Sequence, residues 1–206
     1  YFSFSVRSTG LAADGPLRFK LTFGEVPSEV AVSFDSYKEG LSRAWLQDEV
    51  VSVMYVPQTV TLPRRLAFRY IKIELLSSSP YYDFNIHDMK CMAQTSAQNI
   101  PEELPQAVDP MIRKIDRVGL NTLKECMQTV YEDGPKRDQR LWIGDLYLEA
   151  LGNNYSYKQH DLTKRCLYLL AGLSDLNGYL LATVIENPVP RAQDKQFLYE
   201  YALLYN

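Results

Sequence analysis

Four carboxylates and two arginines fall within fifteen residues, EDGPKRDQRLWIGDL (132–146), around a single tryptophan. Asp133, Asp138 and Asp145 could between them supply a proton donor and groups that hold hydroxyls, and Trp142 offers an apolar platform. Carboxyls beside an aromatic face are what hydrolysis of a glycosidic bond requires: one protonates the leaving oxygen, another activates water, and the rest support positive charge on the ring. The same letters have plainer uses. An aspartate at a helix start caps it and favours its dipole. Arg137 and Arg140 would then be ordinary ion-pair partners, and a lone tryptophan is more often core than platform.

The pattern RDQRLWIGDLYLEAL (137–151) reads as a helix. At about 100° per residue, Asp138, Trp142, Asp145 and Glu149 fall within about 60° of one another. Leu141 and Leu148 flank this stripe on one side, and Ile143, Leu146 and Ala150 on the other. The opposite face carries Arg140, Gly144, Tyr147 and Leu151, so neither side is cleanly solvated. Charges bordered by leucines must be paired or functional, because desolvating them is costly. A turn at Asp133-Gly134-Pro135 brings Asp133 to the helix start. Asp133, Asp138 and Asp145 can therefore converge, with Arg137 and Arg140 as counter-charges.

The elements that must position them divide the chain in two. Residues 1–95 alternate in hydropathy. LRFKLTF (17–23) puts Leu17, Phe19, Leu21 and Phe23 on one face, and EVAVSF (29–34), VVSVMYV (50–56), TVTL (59–62) and FRYIKIEL (68–75) continue the strand pattern. Strands about ten residues apart predict an antiparallel sandwich or jelly roll. LSRAWLQDE (41–49) interrupts them as a loop or short turn. A polar, proline-bearing linker at 96–110 follows. From 111 to 206 the pattern is helical. IRKIDRV (112–118) is open between strand and helix. Leu120, Leu123, Met127 and Val130 form a helical stripe, and KQHDLTKRCLYLLAGL (158–173) forms a further helix. YLLATVIE (179–186) reads as extended, and DKQFLYEYALLY as a last helix.

Composition narrows the function classes. Of 206 residues, 46% are hydrophobic and 23% charged, ordinary for a soluble globular protein. A net charge of −3 gives no basic footprint for nucleic acid, and no apolar run is long enough to span a membrane. Cys91, Cys126 and Cys166 form no C-x-x-C pair, and with only His87 and His160 to help, no metal site is expected. The thiols are expected to be reduced and buried. His87 reads as structural, near a strand end. No cofactor is called for, and oligomeric state and compartment (cytoplasmic, or periplasmic or secreted in a bacterium) stay open. Both ends read as cut, so a segment of a longer protein is expected.

DGPKRDQRLWIGD resembles the signature of the bacterial α-L-rhamnosidases, glycoside hydrolase family 78, whose pattern runs roughly D-C-P-x-R-(D)-E-R-x-G-W-x-G-D. FRYIKIE resembles the strand that precedes their catalytic domain. The resemblance spans about 60–206 and is densest at 133–145. It implies a β-sandwich at 1–95 followed, at 111–206, by the first part of an (α/α)6 six-hairpin toroid with the sugar site at its centre. Asp133, Arg137, Trp142 and Asp145 match acid, arginine, tryptophan and last acid of the pattern. The general acid falls on Asp138 in the ungapped alignment and on Gln139 in the R-D-E-R form, with Asp138 the preferred choice. Gly134 and Leu141 replace the family's cysteine and glycine. The resemblance thus implies a glycosidase that removes terminal α-L-rhamnose, inverting in the family's manner, with Asp138, Asp133 and Asp145 catalytic and Arg137, Trp142 and Arg140 binding a carbohydrate substrate. The catalytic base would lie beyond Asn206. The alternatives are a non-catalytic carbohydrate-binding or scaffolding segment, or a toroid glycosidase for another sugar.

Overall fold

The computed structural model describes residues 1–9, 16–40, 42–81, 83–193 and 196–205. The chain divides into two compact units, Tyr1–Ala93 and Gln94–Asn206.

The first unit is built from β1 (Phe2–Thr9), β2 (Leu17–Gly24), a short α1 (Pro27–Ala31), β3 (Asp48–Val53), β4 (Gln58–Thr61), β5 (Tyr70–Ser77) and β6 (Asp83–Cys91). These strands form two three-stranded antiparallel sheets, ordered β4-β1-β6 and β3-β2-β5. Period-two patterning decides which face is buried. Phe2, Phe4 and Val6 of β1 and Leu17, Phe19, Leu21 and Phe23 of β2 are all sealed in one core. Phe2 meets Phe23 edge-on with centroids 6.0 Å apart, and Phe4 meets Phe19 in the same way at 6.0 Å. Two sheets joined through alternate residues make a sandwich, and each buried phenylalanine contributes roughly 1.5–3 kcal/mol by burial.

Two readings of this half need correction. EVAVSF (29–34) is not a strand. Pro27 opens a helical turn over 27–31, and Val26 and Val32 stay exposed, so no neighbouring strand rewards an extended chain. His87 lies within β6, opposite Ser5 of β1, rather than near its end.

On the outer face of the second sheet the charges are paired. Arg43 holds Asp48 with two nitrogens, at 2.8 and 2.6 Å. Lys20 reaches Asp35 at 2.5 Å, and on the other face, opposite the buried Leu21, Glu49 pairs with Arg64. Two 3-10 turns, Phe34–Ser36 and Arg43–Trp45, are tied down through these bonds.

The second unit contains α2 (Pro110–Cys126), β7 (Leu141–Trp142), α3 (Ile143–Tyr155), α4 (His160–Gly172), β8 (Thr183–Ile185), β9 (Arg191–Ala192) and α5 (Tyr199–Tyr205). Asp109 caps α2 by accepting from Met111 N at 2.7 Å, with Pro110 at its first position. The ambiguous stretch 112–118 is therefore the first half of a single helix. The predicted stripe through Met127 and Val130 breaks at Cys126, where the chain doubles back and Tyr131 bridges to Met127. Residues 94–99 hold to this unit, with Ser96 N bonding Met127 O at 2.7 Å and Asn99 bonding Tyr157 O at 2.7 Å. α3 is central, packing against α2, α4 and α5. The core joins Met127, Val130, Tyr131, Leu141, Ile143 and Leu146 to Leu162, Cys166 and Leu170 of α4 and Val184 of β8. Among the described cysteines Cys126 and Cys166 are buried, whereas Cys91 is exposed, contrary to expectation.

The helix expected over 137–151 starts six residues late, at Ile143. Residues 133–140 are a loop, and Leu141–Trp142 pairs with Val184 and Thr183 in the small sheet β7-β8-β9. Gln139 has φ of 53°, left-handed backbone incompatible with a continuing helix. Asp138 is thus not at a helix N-terminus, and the dipole effect expected there does not act on it.

Candidate active site

The loop that carries the acids is closed by its own backbone and one carboxylate. Asp133 N donates to Arg140 O at 3.0 Å, and Arg140 N donates back to Asp133 Oδ1 at 3.1 Å. Inside this clasp, Gln139 N bonds Gly134 O at 3.1 Å, and the Gln139 side-chain amide bonds Pro135 O at 2.6 Å. Gln139 is therefore spent on shaping the loop. Asp138 instead hydrogen-bonds the Asp133 carboxyl and receives the Arg137 guanidinium at 3.0 Å. Its side chain is only 12% exposed, whereas that of Arg137 is 57% exposed.

The clasp feeds directly into β7. Thr183 Oγ1 donates to Leu141 O at 2.9 Å and Ile143 N donates to Ala182 O at 3.1 Å, which fixes where α3 begins. Asp145 then occupies the first turn of α3, and Glu149 sits one turn further along the same face. Arg140 Nη1 reaches Gln193 Oε1, beside β9, at 2.7 Å. Trp142 is half-buried, with its indole nitrogen sealed off and without a hydrogen-bond partner, and it meets the Tyr201 ring edge-on at 6.5 Å.

Electrostatics show that the acids form one group. Burial pushes the Asp133 carboxyl up to about 6, opposed by the bond from Arg140 N and reinforced by Asp138 and Asp145. Burial also raises Asp145. Glu149 is pushed up to about 8, first by burial and then by Asp145, Asp133 and Glu132, although Cys126 hydrogen-bonds it and pulls the other way. One Glu149 carboxyl oxygen is buried and has no partner. Glu149 and Cys126 also line a groove of about 960 Å3 along α2 and α3. Such a set keeps Glu149 protonated at neutral pH and Asp133 protonated below about pH 6.

Asp133, Asp138 and Asp145 therefore come together, although not as one helical stripe. Trp142 and Arg137 stand beside them, and Arg140 is anchored on Gln193. Sequence reasoning placed Glu149 in the stripe without singling it out. It passed over Tyr201 and Gln193, which carry no local signal because they arrive from distant segments. Among the described residues no group of histidine, cysteine and carboxylates could hold a metal ion, and no helix is long and apolar enough to cross a membrane.

Two family models match the chain. Residues 1–93 match the glycosyl hydrolase family 78 alpha-rhamnosidase N-terminal domain. Residues 106–198 match the bacterial alpha-L-rhamnosidase six-hairpin glycosidase domain. The chain belongs to glycoside hydrolase family 78. A solved structure of a rhamnosidase from Klebsiella oxytoca with rhamnose bound is 41% identical, with a TM-score of 0.93, covering 99% of this chain and 39% of that one. This chain thus spans well under half of that rhamnosidase. A search of curated proteins finds no match. The β-sandwich followed by part of a six-hairpin helical domain is the architecture of family 78, as the sequence predicted.

Proposed function

We propose that this chain is the acid-bearing segment of a glycosidase that removes terminal α-L-rhamnose with inversion. The observation that carries this reading is the carboxyl-to-carboxyl contact of Asp133 and Asp138 beside Asp145, in a loop clasped at both ends. Burial first, and then its acidic neighbours, favour a proton on Asp133, since two adjacent carboxylates would repel. Asp138 passes that proton to the glycosidic oxygen as the bond to the sugar breaks. Asp133 keeps the proton in the pair until then. Asp145 holds sugar hydroxyls, Trp142 walls the ring, and Arg137 and Arg140 balance the charge. Water enters from the opposite face of the sugar, activated by a carboxylate expected beyond Asn206.

The test is hydrolysis of a panel of chromogenic glycosides by the full-length protein, with the anomer of the released sugar followed by NMR. Release of β-L-rhamnose from an α-rhamnoside supports the reading. Rhamnose binding without turnover would make the protein a carbohydrate-binding module, and turnover of another glycoside would reassign its sugar.

A further inference from the structure

Tyr201 of α5 is far from the acids in sequence but lies against them in space. An added Cβ at Gly144 would lie 2.6 Å from Tyr201 Cζ and 2.8 Å from its hydroxyl oxygen. The phenol thus rests on the backbone of α3, immediately before Asp145. The ring meets Trp142 edge-on. Burial raises the hydroxyl, and next come Asp145 and Asp133, which disfavour a phenolate. It makes no hydrogen bond to any described residue, and it is not among the sealed polar atoms. A phenol beside carboxyls, with no described residue to receive its bond, is a donor waiting for an acceptor.

We infer that Tyr201 is a sugar-binding residue of this site, donating its hydroxyl to a ring hydroxyl of the terminal sugar next to the one Asp145 holds. Gly144 is the glycine that lets it do so. The inference rests on the proposed activity for the identity of the sugar. The geometry supports it in two ways. Tyrosine and aspartate are complementary partners for sugar hydroxyls, the first donating and the second accepting. The glycine before Asp145 has no positive φ to explain it, so the close approach of Tyr201 is the feature that excludes a side chain there.

The experiment uses full-length protein, with Tyr201→Phe and Tyr201→Leu. Calorimetry measures L-rhamnose binding, and kinetics are run on aryl α-L-rhamnosides deoxygenated in turn at C2, C3 and C4. Tyr201→Phe keeps the ring on Gly144 and is expected to keep the melting temperature. It should weaken rhamnose binding and raise KM about 5–10-fold, the cost of one lost hydrogen bond. That penalty should vanish on one deoxy substrate, where the acceptor is already gone. Tyr201→Leu should bind no better and should also melt earlier. Unchanged binding and KM in Tyr201→Phe, or an equal penalty on every deoxy substrate, would overturn the inference. Rhamnose binding without hydrolysis defeats the proposed activity but leaves the calorimetric comparison to judge Tyr201. A wild-type protein that binds no rhamnose defeats both.

Discussion

The two units treat charge in opposite ways. On the outer face of the sandwich every described acid in the cluster has a base. The bond to Lys20 holds Asp35 below the usual carboxylate range, and Lys20 and Arg43 are raised by Asp35 and Asp48, so all stay charged. In the helical unit burial raises Asp133, Asp145 and Glu149, and neighbouring acids raise Asp133 and Glu149 further. The first arrangement serves the fold, since it pins loops and is indifferent to pH near neutrality. The second works against the fold and is retained where a proton must be kept. Unpaired acids are thus a better pointer to chemistry than the number of charges.

The largest expected effect tests the acid. Asp138→Asn should cut the rate of rhamnoside hydrolysis about 10³-fold while the melting temperature stays within a few degrees, because general acid catalysis supplies about 10²–10⁴. A wild-type rate would remove Asp138 from that role. The next concerns the shared proton. Asp133 carries a carboxyl raised to about 6, so kcat/KM should decline as pH rises through about 6, the range in which that carboxyl gives up its proton. In Asp133→Asn that limb should disappear, because an amide does not titrate.

The third effect is on stability. Glu149 has a folded value of about 8, above its ordinary 4.5. Its stabilising contribution is therefore complete below about pH 4.5 and is lost as pH rises to about 8. Glu149→Gln should melt several degrees above wild type at pH 8 and near wild type at pH 4, as calorimetry can measure. The smallest effect lies in the sandwich. Asp48→Asn breaks the two-nitrogen bond with Arg43 and should cost about 1–2 kcal/mol in denaturant titration, with hydrolysis unchanged. If Asp48→Asn altered activity as much as Asp138→Asn, the contrast between the units would fail.

The sequence made the sandwich legible because strand alternation and burial coincide, as at Leu17, Phe19, Leu21 and Phe23. It made the acids legible through their spacing. It misplaced their scaffold, because Leu141, Trp142 and Ile143 satisfy a helical stripe as readily as a strand entering a helix. What decides between them is the clasp from Asp133 to Arg140 and the pairing of β7 with β8, about forty residues away, and no local period reports either. The choice between Asp138 and Gln139 likewise turned on hydrogen bonds: one side chain faces a carboxyl and the other a backbone carbonyl. Tyr201 was invisible for the same reason.

Two contacts to α4 hold the chain beneath the site. Tyr131 N donates to Cys166 Sγ at 3.4 Å, and the Tyr131 hydroxyl meets Thr163 Oγ1 at 2.9 Å. Thr163 and Cys166 are three residues apart on α4, so they grip the chain at two points just upstream of Asp133. A mutational survey ranked by distance from the sugar would pass over α4. Yet a change at either position would tilt the stem on which the first acid stands, and its signature would be a shifted pH profile in an enzyme whose pocket residues are all intact.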